Sequence, residues 1–162
     1  MIVEVTRKII DTVKPTRTYF SLETMPWIAP DTVDSYFDLV KNIKRERFGV
    51  HFDPTNLIMS PRRFNNTGEI IKYGFKKLGK YIKSCHAKDI KILTDSWRTQ
   101  ACFEETLPGT GALNYAVYLT ELTKFKDIPL MIEHLKSQDE FIEAANNIRS
   151  IAKENNVRIH KI

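Results

Sequence analysis

Long apolar runs are missing from this 162-residue chain. No window approaches the roughly eighteen consecutive apolar residues that a membrane-spanning helix needs, so a bilayer partner is not expected. The opening residues, MIVEVTRKII, mix charged and apolar side chains and lack a signal core with a small-residue cleavage site, so a cytoplasmic protein is expected. Cysteine is scarce: Cys85 and Cys102 are the only two, and they form neither a C-x-x-C pair nor a zinc spacing. Both are expected to be reduced thiols. Low-complexity linkers and short repeats are absent as well. One domain covering residues 1–162 fits the length, which suffices for a core and falls short of two comfortable domains.

The charge excess is modest, with 25 Lys and Arg against 20 Asp and Glu, a net +5. The cations are scattered along helical stretches such as KNIKRER and KYGFKKLGK rather than gathered with exposed aromatics. A solvated helix face accounts for them, and nucleic acid is not an expected partner.

What the chain does contain is an alternation. Four short apolar segments read as strands: residues 18–23, 47–52, 80–88 and 128–134. They are apolar nearly throughout, as strands covered on both faces tend to be. Between them lie helical patterns. Ile2, Val5, Ile9 and Val13 form one stripe over 2–13, and Val33, Phe37, Val40 and Ile43 form another over 31–45, with Asp31 as N-cap. Residues 67–79 repeat Ile71, Phe75 and Leu78, and residues 113–126 repeat Tyr115, Leu119, Leu122 and Phe125. A last helix opens at Ser137 with a capping box to Glu140. The predicted class is α/β: parallel (β/α) repeats with right-handed crossovers, four strands forming half of a TIM barrel.

Each predicted strand ends in or near a group able to hold a hard metal: Glu23, Asp53, His86 and Glu133. The first two separations suit one βαβ unit, and the third suits one with a longer loop. In a barrel these carboxyl ends converge on one face. Three carboxylates and one imidazole suit manganese, magnesium or cobalt better than a thiolate-seeking ion. Taken singly, a carboxylate at a strand end is usually solvated or caps the next helix, and a lone histidine such as His86 is more often a satisfied core or loop residue.

At these positions the chain resembles the sugar-phosphate isomerase/epimerase family of xylose-isomerase-like TIM barrels. The matching pieces are SLETMPW, FGVHFDPTNL, CHAKDI, LPGTGALNY and PLMIEHL, in the right order over residues 18–135. Together they match the carboxyl-terminal half of that barrel. The resemblance implies that Glu23, Asp53, His86 and Glu133 bind one divalent ion, manganese by first expectation, and that Glu23 and Glu133 double as an acid/base pair. It implies a sugar or sugar-phosphate substrate whose proton is moved through an enediolate. The sequence departs from the ketose 3-epimerase branch, which has a histidine where Asn56 stands. That branch also has an arginine shortly after the metal-binding histidine, whereas Arg98 is the first arginine after His86.

Four further residues are candidates for contact with substrate: His51, Asn56, Lys88 and Trp27. In a strand His51 faces the same way as Asp53, which fits a pocket residue or a buried histidine bonded to a neighbouring strand. Lys88 and Asp89 read as a charged pair, either orienting the loop of the metal site or lying on the surface. Trp27 offers either a wall for a sugar ring or packing under its loop. His134, one step past Glu133, is expected on the opposite face, towards the helices. LPGTG (107–111) supplies backbone N–H groups that can hold an anion, but lacks the lysine of a phosphate-binding loop. A related apurinic endonuclease is a weaker reading, since a multi-metal site cannot be filled from His51, His86, His134 and His160. A non-catalytic half-barrel is the other alternative. Four unclosed strands leave two open edges, which points to a homodimer or to a missing amino-terminal half-barrel.

Overall fold

A computed structural model describes residues 1–93 and 102–159. The chain runs through α1 (Ile2–Val13), β1 (Phe20–Glu23), α2 (Val33–Ile43), β2 (Phe48–Phe52), a single-turn helix at Thr55–Leu57 and α3 (Pro61–Phe64). It continues through α4 (Thr67–Leu78), β3 (Ile82–Ala87), β4 (Asp89–Leu93), β5 (Cys102–Thr106), α5 (Tyr115–Leu122), β6 (Leu130–Ile132) and α6 (Gln138–Glu154).

Four strands form one parallel sheet in the order β1-β2-β3-β6. Glu23 lies opposite His51, Phe52 opposite Cys85, and His86 opposite Met131. All four strands therefore end on one edge of the sheet. Parallel strands joined by helices are the half-barrel expected from the sequence.

The second sheet was not expected. β4 and β5 pair antiparallel, Asp89 facing Thr106 and Leu93 facing Cys102. Neither DIKIL (89–93) nor CFEET (102–106) is an apolar run, since Asp89, Lys91, Glu104, Glu105 and Thr106 interrupt them. Arg98 lies between these strands and outside the described residues, as does His160 at the carboxyl end.

One face of the parallel sheet carries the core. Val50, Phe52, Ile82 and Cys85 are fully or almost fully buried, with Tyr36 and Ile43 of α2, Ile71 and Phe75 of α4 and Tyr118 of α5 in the same cluster. The Phe52 ring meets Phe75 edge-on at 5.4 Å and Tyr118 at 6.5 Å. Burying one such side chain is worth roughly 1.5–3 kcal/mol. Coverage of both faces holds only for β2, where every residue is buried; β1 is half-buried and Met131 of β6 is exposed. Among the described residues β1 and β6 are the outer strands, each paired on one side only.

Three local expectations need correcting. The N-cap of α2 is Thr32 rather than Asp31: its hydroxyl accepts the Ser35 N–H, and the Ser35 hydroxyl accepts the Thr32 N–H, both at 3.0 Å. At α6 only half of the capping box forms, because Glu140 reaches back to the N–H of Lys136 instead of Ser137. In α1 the apolar stripe is largely exposed at Ile2, Val5 and Val13, while Thr6 and Ile10 are buried. α1 packs against α2, and Arg7 anchors it by donating to the carbonyls of Ile43 and Asn42.

Candidate metal centre

The carboxyl edge of the parallel sheet gathers its chemistry around one nitrogen. Nδ1 of His86 lies 3.0 Å from Glu23 Oε1, 2.6 Å from Glu133 Oε2 and 3.7 Å from Asp53 Oδ2. Each carboxylate comes from a different strand end, and one donor atom from each of the four residues falls within 4.8 Å of the others. A single N–H cannot serve three acceptors. Asp53 Oδ2 and Glu133 Oε2 are both buried without an aligned hydrogen bond.

Asp53 is completely buried and held by its other oxygen, which accepts N–H groups of Thr55 at 2.9 Å and Asn56 at 3.4 Å. The turn after β2 thereby aims Oδ2 at the centre. Glu23 is aimed by Asn56, whose amide donates to Glu23 Oε1 at 3.1 Å and to the Thr24 carbonyl at 3.0 Å. His51 sits edge-on to His86, ring centroids 4.0 Å apart. Its Nδ1 lies 2.5 Å from Ser84 Oγ, while Nε2 is buried and unpartnered.

Lys88 supplies a second cation. It is 4 % exposed, with Nζ 3.1 Å from Asp53 Oδ2, 3.4 Å from Glu133 Oε2 and 3.7 Å from Glu23 Oε1. A fourth carboxylate, Glu105 of β5, lies 3.8 Å from the same ammonium. Opposite charges at such distances favour the charged forms of Lys88 and Glu23. Burial alone would raise the Glu23 carboxyl, but the His86 hydrogen bond and the nearby His86 and Lys88 charges pull it down to about 2. Burial disfavours a charged His86, yet Asp53, Glu23 and Glu133 push it up to about 9. His51 is shifted the other way, by burial and then by the His86 charge.

The backbone beneath these groups is held from α5. The Tyr118 hydroxyl donates to the carbonyl of His86 at 2.9 Å, and that of Tyr115 to the carbonyl of Lys88 at 2.8 Å. Asp89, fully buried, accepts four backbone N–H groups: Ile90 and Leu113 on Oδ1, Gly109 and Gly111 on Oδ2. Glycine is required twice here. Gly109 has φ +87°, and a Cβ on Gly111 would lie 2.4 Å from Asp89 Oδ1.

The family model described as xylose isomerase-like TIM barrel matches residues 1–159. The chain belongs to the xylose isomerase-like TIM barrel family. No curated protein sequence matches it. A xylose isomerase domain protein from Planctomyces limnophilus is similar in structure, with 24% identity and TM-score 0.71 over 95% of this chain and 52% of that one. A xylose isomerase-like TIM barrel protein from Mycobacterium smegmatis, in complex with magnesium, shares 19% identity at TM-score 0.70 over 96% and 50%. A D-tagatose 3-epimerase-like protein shares 18% at 0.68 over 95% and 54%. Epimerases and a probable dehydratase are both among the similar structures. This member of the xylose isomerase-like family thus spans about half the length of the solved relatives it matches.

Of the residues singled out in the sequence of this family member, the structure brings Glu23, Asp53, His86, Glu133, His51, Asn56 and Lys88 together. Trp27 is 79 % exposed, so packing under its loop does not explain it. Lys88 and Asp89 do not pair. As neighbours in extended chain they point apart, Lys88 to the carboxylates and Asp89 into LPGTG. That loop does hold an anion, and the anion is Asp89. His134 does not face the helices. β6 ends at Ile132, and His134 has φ +60°, which returns its ring to Glu133. Glu105 was missed in the sequence because β5 was.

Proposed function

We propose that this chain carries the metal-holding face of a divalent-metal-dependent isomerase or epimerase acting on a sugar or sugar phosphate. The observation that carries this reading is the convergence of three carboxylate oxygens on His86 Nδ1, with Asp53 Oδ2, Glu133 Oε2 and His51 Nε2 buried and without hydrogen bonds. Three hard oxygens and one imidazole nitrogen fit manganese, magnesium or cobalt. Glu23, Asp53, His86 and Glu133 would hold the ion. When bound, it supplies Lewis-acid polarisation of the sugar's carbonyl and hydroxyl oxygens.

The remaining chemistry belongs to the side chains. Shifting a carbonyl, or inverting the carbon beside it, requires taking a proton from that carbon and returning one. Glu23, kept ionised by His86 and Lys88, is an acceptor at neutral pH. Glu133 is the partner carboxylate, set at the end of the far strand. Asn56 orients Glu23 through its amide rather than waiting free for substrate. Lys88 offers an ammonium to a developing oxyanion, and its near-complete burial strengthens that interaction. Because the relatives are about twice as long, the rest of the sugar enclosure is assigned to a further half-barrel or a second copy of this chain.

The test is exchange of solvent deuterium into the carbon beside a ketose carbonyl, over a panel of sugars and sugar phosphates, with metal occupancy measured in parallel. Glu23→Gln and Glu133→Gln are expected to lower exchange by roughly 10²–10⁴-fold at full metal loading, since glutamine cannot accept the proton. Exchange unchanged in either variant would remove that residue from the mechanism. No exchange with any sugar in a closed, metal-loaded barrel would favour a binding module.

A further inference from the structure

Glu133 is held from both sides, and the second side belongs to residues outside the ligand set. We infer that His134 is a positioning residue that locks Glu133 into presenting a single oxygen to the centre, with Glu105 bracing the imidazole from behind. The inference rests on the proposed metal site and concerns how that site is kept in shape.

Three observations carry it. First, His134 Nε2 lies 2.9 Å from Glu133 Oε1, and His134 Nδ1 lies 2.8 Å from Glu105 Oε2. Secondly, the other Glu133 oxygen faces inward, 2.6 Å from His86 Nδ1 and 3.4 Å from Lys88 Nζ. The two oxygens of one carboxylate are thus divided between an outer imidazole and the inner cluster. Thirdly, His134 adopts φ +60°, a conformation that non-glycine residues seldom take without support from their surroundings. That backbone turns the ring onto Glu133, where continued strand alternation would have sent it away.

The consequence follows from how glutamate moves. Rotation of its terminal carboxylate would let both oxygens reach one ion, or let the inner oxygen swing out. The ion-pair contact between Nε2 and Oε1, 2.9 Å long, opposes both motions. Serving both carboxylates takes an N–H on each ring nitrogen, which only the imidazolium has. Glu105 reaches His134 from β5, and its second oxygen lies 3.8 Å from Lys88 Nζ. The antiparallel pair is thereby tied to both ends of the cluster, which gives β4 and β5 a purpose in the site.

His134→Gly separates the ring from the backbone. Glycine accepts φ +60° freely, so this variant removes the ring without straining the backbone, and a cooperative metal-free denaturant melt checks that it folds. Its affinity for manganese or cobalt, measured by competition with a chelating dye, should fall by roughly 10–100-fold, the usual effect of removing a hydrogen bond behind a ligand. His134→Gln, which restores an N–H donor, should recover part of that loss. The visible spectrum of the cobalt-loaded His134→Gly variant should also change, because carboxylate binding through one oxygen or two alters the ligand field. Wild-type affinity in His134→Gly, or a glutamine variant no better than glycine, would overturn the role of His134. A wild-type chain that binds neither ion would instead sink the metal site on which it rests.

Discussion

At the scale of single residues the site depends on the proton and charge balance around His86 Nδ1. In chelator the available cations are that proton and the Lys88 ammonium, and the two titrations at the centre bound the stability from opposite sides. The ordinary histidine value is 6.5, and His86 sits at about 9. Its contribution is therefore complete below about 6.5 and is lost as pH rises through about 9. Glu23 lies at about 2 against an ordinary 4.5, so its contribution is present above about 4.5 and is lost as pH falls towards 2. Denaturant melts of the metal-free chain should lose stability above about 6.5 through His86 and below about 4.5 through Glu23, with His51, shifted down by burial, adding a fall that begins as pH drops below 6.5. His86→Gln should remove the alkaline fall; a variant that keeps it would show that another group is responsible.

At the scale of elements, the piece that orders the centre is the loop between β5 and α5. Asp89 collects N–H groups from Gly109, Gly111 and Leu113, and the helix that follows places Tyr115 and Tyr118 on the carbonyls of Lys88 and His86. Asp89→Asn keeps the shape but replaces one acceptor oxygen with an N–H₂. At least one buried backbone donor then goes unsatisfied, at a cost on the order of 1–3 kcal/mol each. Denaturant unfolding should show a loss of at least that size, and an unchanged midpoint would mean that the loop does not depend on the carboxylate. None of these bonds was legible in the sequence, because their partners lie twenty or more positions away and are backbone groups. The parallel strands and the helices between them were legible, since Ile71, Phe75 and Leu78 repeat at helical spacing and Val50 and Phe52 sit in an apolar run. The antiparallel pair was not, because Ile90 and Ile92 alternate with polar neighbours. His134 escaped for a related reason: the alternation that predicted its direction stops at Ile132. Lys88 was singled out, but its near-complete burial ran against the rule that lysine stays in water.

At the scale of the whole molecule, the fold is a partial TIM barrel that brings the four proposed ligands together. Among the described residues β1 and β6 each have a partner on one side only, and the apolar stripe of α1 is exposed at Ile2, Val5 and Val13. Open parallel edges of this kind are prone to association. Glu23, Asp53, His86 and Glu133 come from adjacent strands of one sheet, and their ligand atoms lie within 4.8 Å of one another in this chain by itself. The most direct measurement is therefore elemental analysis of the purified 162-residue chain after manganese loading and exhaustive gel filtration, beside His86→Ala treated identically. About one ion per chain in the wild type, lost or held far more weakly in the variant, is the expected result. No retained ion, or equal retention by His86→Ala, would contradict the assignment of these four residues to a metal.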